Sequence, residues 1–132
     1  MGRSRKSIKS LMKQDPEKAA EIILDEVKQD GPVPYLYKAL AKRRPDLLLT
    51  TVEQGKAIHQ PRFISSKTAQ LVAVSAAAAL RCKPCLKLHI EEALRDGSSP
   101  DEVFEAIFIA GLISKASTLA DSLREFDSIT EH

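Results

Sequence analysis

The chain has 132 residues, of which 43% are hydrophobic and 29% are charged, and its formal net charge at neutral pH is +2. This length and composition exclude a disordered chain and favour a single folded domain. Basic residues gather at the N-terminus, between Arg3 and Lys13, but no nucleic-acid-binding module follows them, so we expect no nucleic-acid partner.

Three helices are predicted in the first half of the chain. Asp15 and Pro16 provide an N-cap and a first helical position, and Gly31 ends the apolar stripe that follows. A second helix is expected over residues 34–42, and Pro45 opens a third. The first helix has an apolar stripe of Ala19, Ile22, Ile23 and Val27, and the second carries Tyr35, Leu36, Leu40 and Ala41. In the third, the side chains available to the core are Leu47, Leu48, Val52 and Ala57.

A break at residues 60–63 precedes a helix rich in alanine and valine over residues 67–80. Either Ser65 or Ser66 can cap this helix. The longest weakly polar run, residues 71–80, is too short for a membrane span. The chain begins with charged residues and no apolar segment follows them, so we expect no signal peptide, no membrane contact and a cytoplasmic protein.

Two further helices complete the predicted fold. Pro84 fits the first turn of a helix that runs to about Asp96, and Gly97 stops it. Residues 99–102 form a capping box for the last helix, which is apolar on every side over residues 107–113. Such a helix is either central in the fold or shared between subunits, and in a small domain we favour the shared arrangement.

No segment alternates with a period of two residues, and helical signals recur throughout, so the predicted fold is all-α. No internal repeat is visible. We expect a basic segment and helix over residues 1–32, followed by a helical domain over residues 33–132.

The chemistry suggested by the sequence centres on its two cysteines. Cys82 and Cys85 are separated by two residues, and His89 follows Cys85 by four. Two thiols at this spacing can close a disulfide, and His89 falls on the helix face of Cys85. The helix N-terminus, together with Lys83 and Lys87, favours a thiolate, while His89 can accept or donate a proton. In a reducing cytosol this predicts redox chemistry at sulfur: attack on a peroxide, or exchange with another disulfide.

Other kinds of site fit this sequence less well. A zinc site needs about four ligands, and the two cysteines with His89 leave His59 as a distant fourth candidate, so we expect no metal. His132 is the chain end. An inert buried pair is disfavoured because lysines flank the cysteines. No G-x-G-x-x-G motif occurs, so we expect no nucleotide or flavin cofactor.

These features together resemble the alkylhydroperoxidase AhpD-like branch of the carboxymuconolactone decarboxylase superfamily, over about residues 33–126. The resemblance rests on Cys82-x-x-Cys85-x-x-x-His89, on the preceding helix at residues 70–75, and on residues 92–97 followed by a capped turn and residues 103–112.

The resemblance implies an all-helical fold that assembles as a homotrimer or homohexamer. It implies that Cys85 is the attacking thiolate, that Cys82 is the resolving thiol, and that His89 serves Cys85 in a proton relay. In the family's peroxidases a glutamate twelve residues before the first cysteine completes this relay, and here that position is Gln70. A glutamine cannot accept a proton as a base. If the missing carboxylate limits turnover, Gln70→Glu is expected to raise the peroxidase rate.

The function predicted from the sequence is therefore a thiol-dependent antioxidant enzyme that reduces hydroperoxides with electrons from an unidentified dithiol donor. The family's lactone decarboxylases generally lack the cysteine pair, so that chemistry is not expected. One alternative is a disulfide reductase or redox adaptor without peroxidase activity. Another is a non-catalytic, redox-sensing scaffold whose basic N-terminus docks on an acidic partner.

Overall fold

The structure, a computed structural model, describes residues 8–131. Within this range it is all-α and contains no strand, as the sequence predicts. Part of the basic N-terminal group, residues 3–6, and His132 lie outside the described residues. The helices are α1 (Ile8–Leu11), α2 (Pro16–Asp30), α3 (Tyr35–Arg43), α4 (Pro45–His59), α5 (Ser66–Ala79), α6 (Lys83–Arg95) and α7 (Pro100–Thr130).

The chain divides into two compact units, of which the first ends at Pro61 and the second begins at Arg62. The break predicted at residues 60–63 coincides with this division. The boundary predicted between residues 32 and 33 lies inside the first unit, where α2 packs against α3 and α4. As a functional division of the chain, that boundary stays a prediction.

The first unit is held together by apolar side chains from α1 to α4. Leu11, Ile23 and Leu48 are fully buried at its centre. Prolines open α2 and α4 as predicted. Their fixed φ suits the first turn of a helix, and the N–H that proline lacks would have no intrahelical partner at that position. Each fully buried aliphatic side chain contributes about 1.5–3 kcal/mol by leaving water.

Tyr37, rather than Tyr35 and Leu36, supplies the core side chain at the start of α3. Tyr35 is 85% exposed and Leu36 is 56% exposed, whereas Tyr37, which the sequence did not single out, is 3% exposed. The reason is periodicity, since Tyr37 shares one helix face with Leu40 and Ala41, which pack against the core. Burial raises the pKa of the Tyr37 hydroxyl above its ordinary value.

The second unit consists of α5, α6 and α7, and α5 packs against both of the others. Its core is made of small side chains, with Val74 and Ala93 fully buried and Val103 and Ala106 nearly so. Ser65 is the residue that caps α5: its hydroxyl accepts a hydrogen bond from the Thr68 backbone N–H at 3.0 Å. Small core residues let the helix backbones approach closely, and this brings polar side chains of α5 and α6 into contact.

The start of α7 is fixed by the predicted capping box. The Ser99 hydroxyl accepts from the Glu102 backbone N–H at 3.1 Å, and Glu102 accepts in return from the Ser99 N–H at 2.8 Å. Lys67 on α5 forms an ion pair with Glu102 at 2.9 Å. The Lys67 ammonium and the Ser99 N–H hold the pKa of the Glu102 carboxyl below its ordinary value.

Beyond its first turns α7 presents a long apolar surface. Phe108 and Ile113 are each 64% exposed and Phe126 is 59% exposed. Within the described residues, α7 is also the one helix long and apolar enough to cross a membrane, with a mean hydropathy of 1.6 over 18 residues. Its apolar run is thus longer than the one at residues 71–80. A single helix of this kind is weak evidence of a membrane span, because central helices of soluble proteins share its length and composition.

Candidate redox site

The cysteine pair lies at the junction of α5 and α6, where α6 begins. Cys82 is the N-cap of α6 and Cys85 lies in its first turn, with Pro84 between them. The two cysteines form a disulfide, and their Cα atoms are 5.3 Å apart. The sequence-predicted spacing therefore places both sulfurs at a helix N-terminus, and this pair fits a redox role.

A tight turn at Arg81 ends α5 and leads directly to Cys82. Arg81 has a φ of 55°, in the left-handed region. The N–H of Cys82 donates to the Ala77 carbonyl at 3.0 Å, and the N–H of Arg81 donates to the Ala78 carbonyl at 3.1 Å. This is a Schellman motif, in which glycine usually takes the left-handed position. Since a side chain there costs about 1–2 kcal/mol, the turn before the first cysteine carries backbone strain.

The electrostatic surroundings of Cys85 favour a thiolate when the disulfide is reduced. The first turn of α6 contains no acidic residue, and the helix N-terminus carries partial positive charge. Lys83 and Lys87 flank Cys85 in the sequence. Cys85 is exposed and Cys82 is half-buried, so the second cysteine is the more accessible to a substrate.

His89 lies one turn after Cys85 on α6 and reaches across to α5. Its Nδ1 is 2.9 Å from Oε1 of Gln70. Gln70 is 2% exposed, and its Nε2 donates a hydrogen bond to Oε2 of Glu92 at 2.9 Å. The structure thus links the side chains of His89, Gln70 and Glu92 in a chain of hydrogen bonds between the two helices.

Of the three hydrogen-bonded residues, Glu92 is the one that the sequence did not single out as a site residue. It is 6% exposed, although two adjacent glutamates in a helix ordinarily indicate a solvated face. One signal could have pointed to it: Glu92 lies three residues after His89, hence on the same helix face. Its contact with Gln70 joins residues far apart in sequence, and only the packing of α5 on α6 reveals it.

Two other features help to delimit the site. Among the described residues, no three or more histidine, cysteine, aspartate or glutamate side chains group closely enough to hold a metal ion. An open groove in the second unit runs along α5 and α7, with Ala78, Arg81, Ile107 and Lys115 among its lining residues. Its lining includes neither cysteine, although Arg81 precedes Cys82 directly in the sequence.

Comparison with known proteins agrees with this picture. The model of the carboxymuconolactone decarboxylase family matches residues 45–127, which is well over half of the chain and spans α4 to α7. A curated relative, "Uncharacterized protein 4 in cox locus" from Paracoccus denitrificans, is 31% identical over 56 residues, which cover 42% of this chain and 50% of the relative. The chain thus spans half the length of that relative. No solved structure gives a significant match.

Proposed function

Because this chain belongs to the carboxymuconolactone decarboxylase family, we propose that it is a thiol-dependent hydroperoxidase of the family's alkylhydroperoxidase AhpD-like branch. The observation that carries the proposal is the Cys82–Cys85 disulfide at the N-terminus of α6, with His89 one turn further on. A dithiol that can become a disulfide supplies the two electrons needed to cleave one peroxide bond.

In the proposed reaction Cys85 is the nucleophile. Its thiolate attacks the distal oxygen of a hydroperoxide, so that a sulfur–oxygen bond forms, the oxygen–oxygen bond breaks, and Cys85 becomes a sulfenic acid. The proton that the Cys85 thiol gave up passes to the leaving alkoxide, which departs as an alcohol, and we assign both transfers of this proton to His89. The thiol of Cys82 then attacks the Cys85 sulfur, the disulfide forms, and water leaves.

An external dithiol closes the cycle. It reduces the Cys82–Cys85 disulfide and is itself oxidised to a disulfide, so the net reaction converts one hydroperoxide and one dithiol into an alcohol, water and a disulfide. The exposure of Cys85 supports its role as the sulfur that meets both substrate and donor. A reducing compartment is required for this cycle, and we place the protein in the cytoplasm on that ground.

The test is a single-turnover reaction of the reduced protein with an organic hydroperoxide, followed by mass spectrometry. The wild type is expected to form the intramolecular disulfide. Cys82→Ser should instead accumulate a sulfenic acid on Cys85, which dimedone traps, and Cys85→Ser should not react. Equal peroxide reactivity of the two serine variants would contradict the assigned roles.

A second candidate, disulfide reduction without peroxidase activity, is favoured by one observation. The side chain that contacts His89 from α5 is the amide of Gln70, at the position where the resemblance implies a glutamate in the family's peroxidases, and an amide cannot accept a proton as a base. Exchange between two sulfurs needs less proton transfer to a leaving oxygen. Rapid exchange with a protein disulfide, together with no reaction with peroxide, would favour this candidate.

We also propose that the protein works as a homotrimer or homohexamer in which α7 packs against other copies of the chain. Support comes from the large apolar side chains that α7 leaves exposed, since monomers rarely present so continuous an apolar surface. The mass in solution should therefore be a multiple of the chain mass, and Phe108→Glu should lower it. Wild type that remains monomeric at micromolar concentration would contradict this proposal.

A further inference from the structure

The proposed reaction leaves one buried ionisable side chain in the second unit without a role. Glu92 is 6% exposed and accepts a hydrogen bond from Gln70, which in turn contacts His89. We infer that Glu92 is a positioning residue for His89: through the Gln70 amide it holds the imidazole in the tautomer protonated on Nδ1. The consequence for turnover rests on the proposed function, but the tautomer itself does not.

The contact with Glu92 determines the orientation of the Gln70 amide. An ionised carboxylate accepts hydrogen bonds and cannot donate them, so the group that faces Glu92 must be a donor. Gln70 therefore presents its NH₂ to Glu92, as the 2.9 Å contact between Nε2 and Oε2 requires. The reversed amide would bring two acceptor oxygens together in a buried place, which is costly. Glu92 thus fixes which end of the amide faces His89.

The orientation of the Gln70 amide in turn determines which nitrogen of the His89 ring carries the hydrogen. With its NH₂ engaged by Glu92, Gln70 turns Oε1 towards His89, at 2.9 Å from Nδ1. Because Oε1 can only accept, Nδ1 must carry a hydrogen. In the neutral ring the lone pair then belongs to Nε2. The tautomer of a histidine is commonly set by the hydrogen bond of its other ring nitrogen, and here a carboxylate sets it from one residue further away.

This arrangement offers a physical account of Gln70. The resemblance places the relay carboxylate at position 70 on α5, and this chain has an amide there. The carboxylate that contacts this amide is Glu92 on α6. Through the Gln70 amide, the negative charge of Glu92 orients the His89 ring and exerts part of its electrostatic effect on it. Proton transfer then takes place at Nε2 of His89. In this chain Gln70 connects a carboxylate of α6 to His89.

The decisive measurement is the protonation state of each ring nitrogen of His89, read by nitrogen-15 NMR of histidine-labelled protein above the pH at which the ring titrates. His89→Gln assigns the signals. In the wild type we expect Nδ1 to be protonated and Nε2 to carry the lone pair. In Glu92→Gln the Gln70 amide can reverse, because its partner can now donate, so the single-tautomer signature should be lost.

Two further variants make this assignment specific. The exchange Gln70→Glu/Glu92→Gln puts a carboxylate directly against His89, with an amide behind it, and should restore the Nδ1-protonated tautomer. Glu91→Gln is the matched control, because Glu91 is the exposed neighbour on the same helix, and it should leave the signature unchanged. A wild-type ring protonated on Nε2, or the same tautomer in wild type and Glu92→Gln, would overturn the inference.

A parallel activity measurement separates this inference from the proposed function. In a working peroxidase, Glu92→Gln should lower the rate of peroxide reduction at least about tenfold, since misplacing an acid–base group forfeits part of its usual 10²–10⁴-fold contribution, and the exchange variant should recover it. If the wild type ignores peroxides while His89 is protonated on Nδ1, the proposed function fails and the positioning role of Glu92 stands. Peroxide turnover that is unaffected by Glu92→Gln would count against the positioning role alone.

Discussion

Replacing Gln70 with glutamate places two carboxyl groups in contact inside the second unit. The Gln70 nitrogen lies 2.9 Å from a Glu92 oxygen, and in Gln70→Glu a second carboxylate oxygen takes its place. At that separation two unit negative charges repel by about 6 kcal/mol with an effective dielectric constant of about 20. Because about 1.4 kcal/mol corresponds to one pH unit, the folded variant should avoid most of this repulsion by keeping one proton on the pair at pH 7.

The sequence alone predicts that this replacement raises the peroxidase rate, and the contact with Glu92 adds a prediction about stability. Proton retention makes the stability of Gln70→Glu depend on pH in a defined direction. Near neutral pH the folded pair holds a proton that the unfolded chain has released. The free energy of unfolding of Gln70→Glu, relative to that of wild type, should therefore be highest at low pH and should fall as the pH rises. Gln70→Glu/Glu92→Gln carries one carboxyl and should lack this dependence.

Urea unfolding of the disulfide-bonded proteins at pH 5.5 and pH 8.5 measures the effect. The loss in the free energy of unfolding of Gln70→Glu, relative to wild type, should be larger at pH 8.5 by about 2 kcal/mol or more, given the repulsion above. A destabilisation of equal size at both pH values, or an exchange variant with the same pH dependence as Gln70→Glu, would refute the argument that the two side chains touch.

Three further outcomes test the turns and the cap around the site. Arg81→Gly should stabilise the protein by about 0.5–1 kcal/mol, because the strain that glycine removes at this positive φ is larger than the conformational entropy that glycine loses on folding. Arg81→Ala keeps the strain and should not stabilise the protein. Gly97→Ala should destabilise it by about 1 kcal/mol, since Gly97 has a φ of 97°, and urea unfolding measures the effect of each of these substitutions. Glu102→Gln should be less stable than wild type at pH 7, and this difference should vanish as the pH falls through the carboxyl range, because the lowered pKa of Glu102 makes its contribution one that protonation removes.

Local chemistry made the helices predictable from the sequence. Pro16 and Pro45 mark helix starts, and the capping box beginning at Ser99 marks a third, because each satisfies or dispenses with backbone N–H groups that every helix leaves unpaired. The position of Cys82 and Cys85 at the start of α6 followed from Pro84 in the same way. These signals act within a few residues and need no tertiary partner.

The choice of helix face and the full composition of the site could not be predicted in this way. Periodicity groups Tyr37 with Leu40 and Ala41 on one face of α3, but only the packing of α3 against α2 and α4 shows that this face is the buried one. Glu92 looks like a surface acid until α5 is packed against α6, when Gln70 becomes its partner. Both outcomes depend on contacts between residues distant in sequence, which a single sequence does not display.

The most direct test of the account is the second-order rate constant for oxidation of the fully reduced protein by an organic hydroperoxide, with the alcohol and the Cys82–Cys85 disulfide both quantified. We expect one alcohol and one disulfide per peroxide, at a rate far above that of a free dithiol, with no reaction in Cys85→Ser. A rate equal to that of a free dithiol, or oxidation that survives in Cys85→Ser, would contradict it.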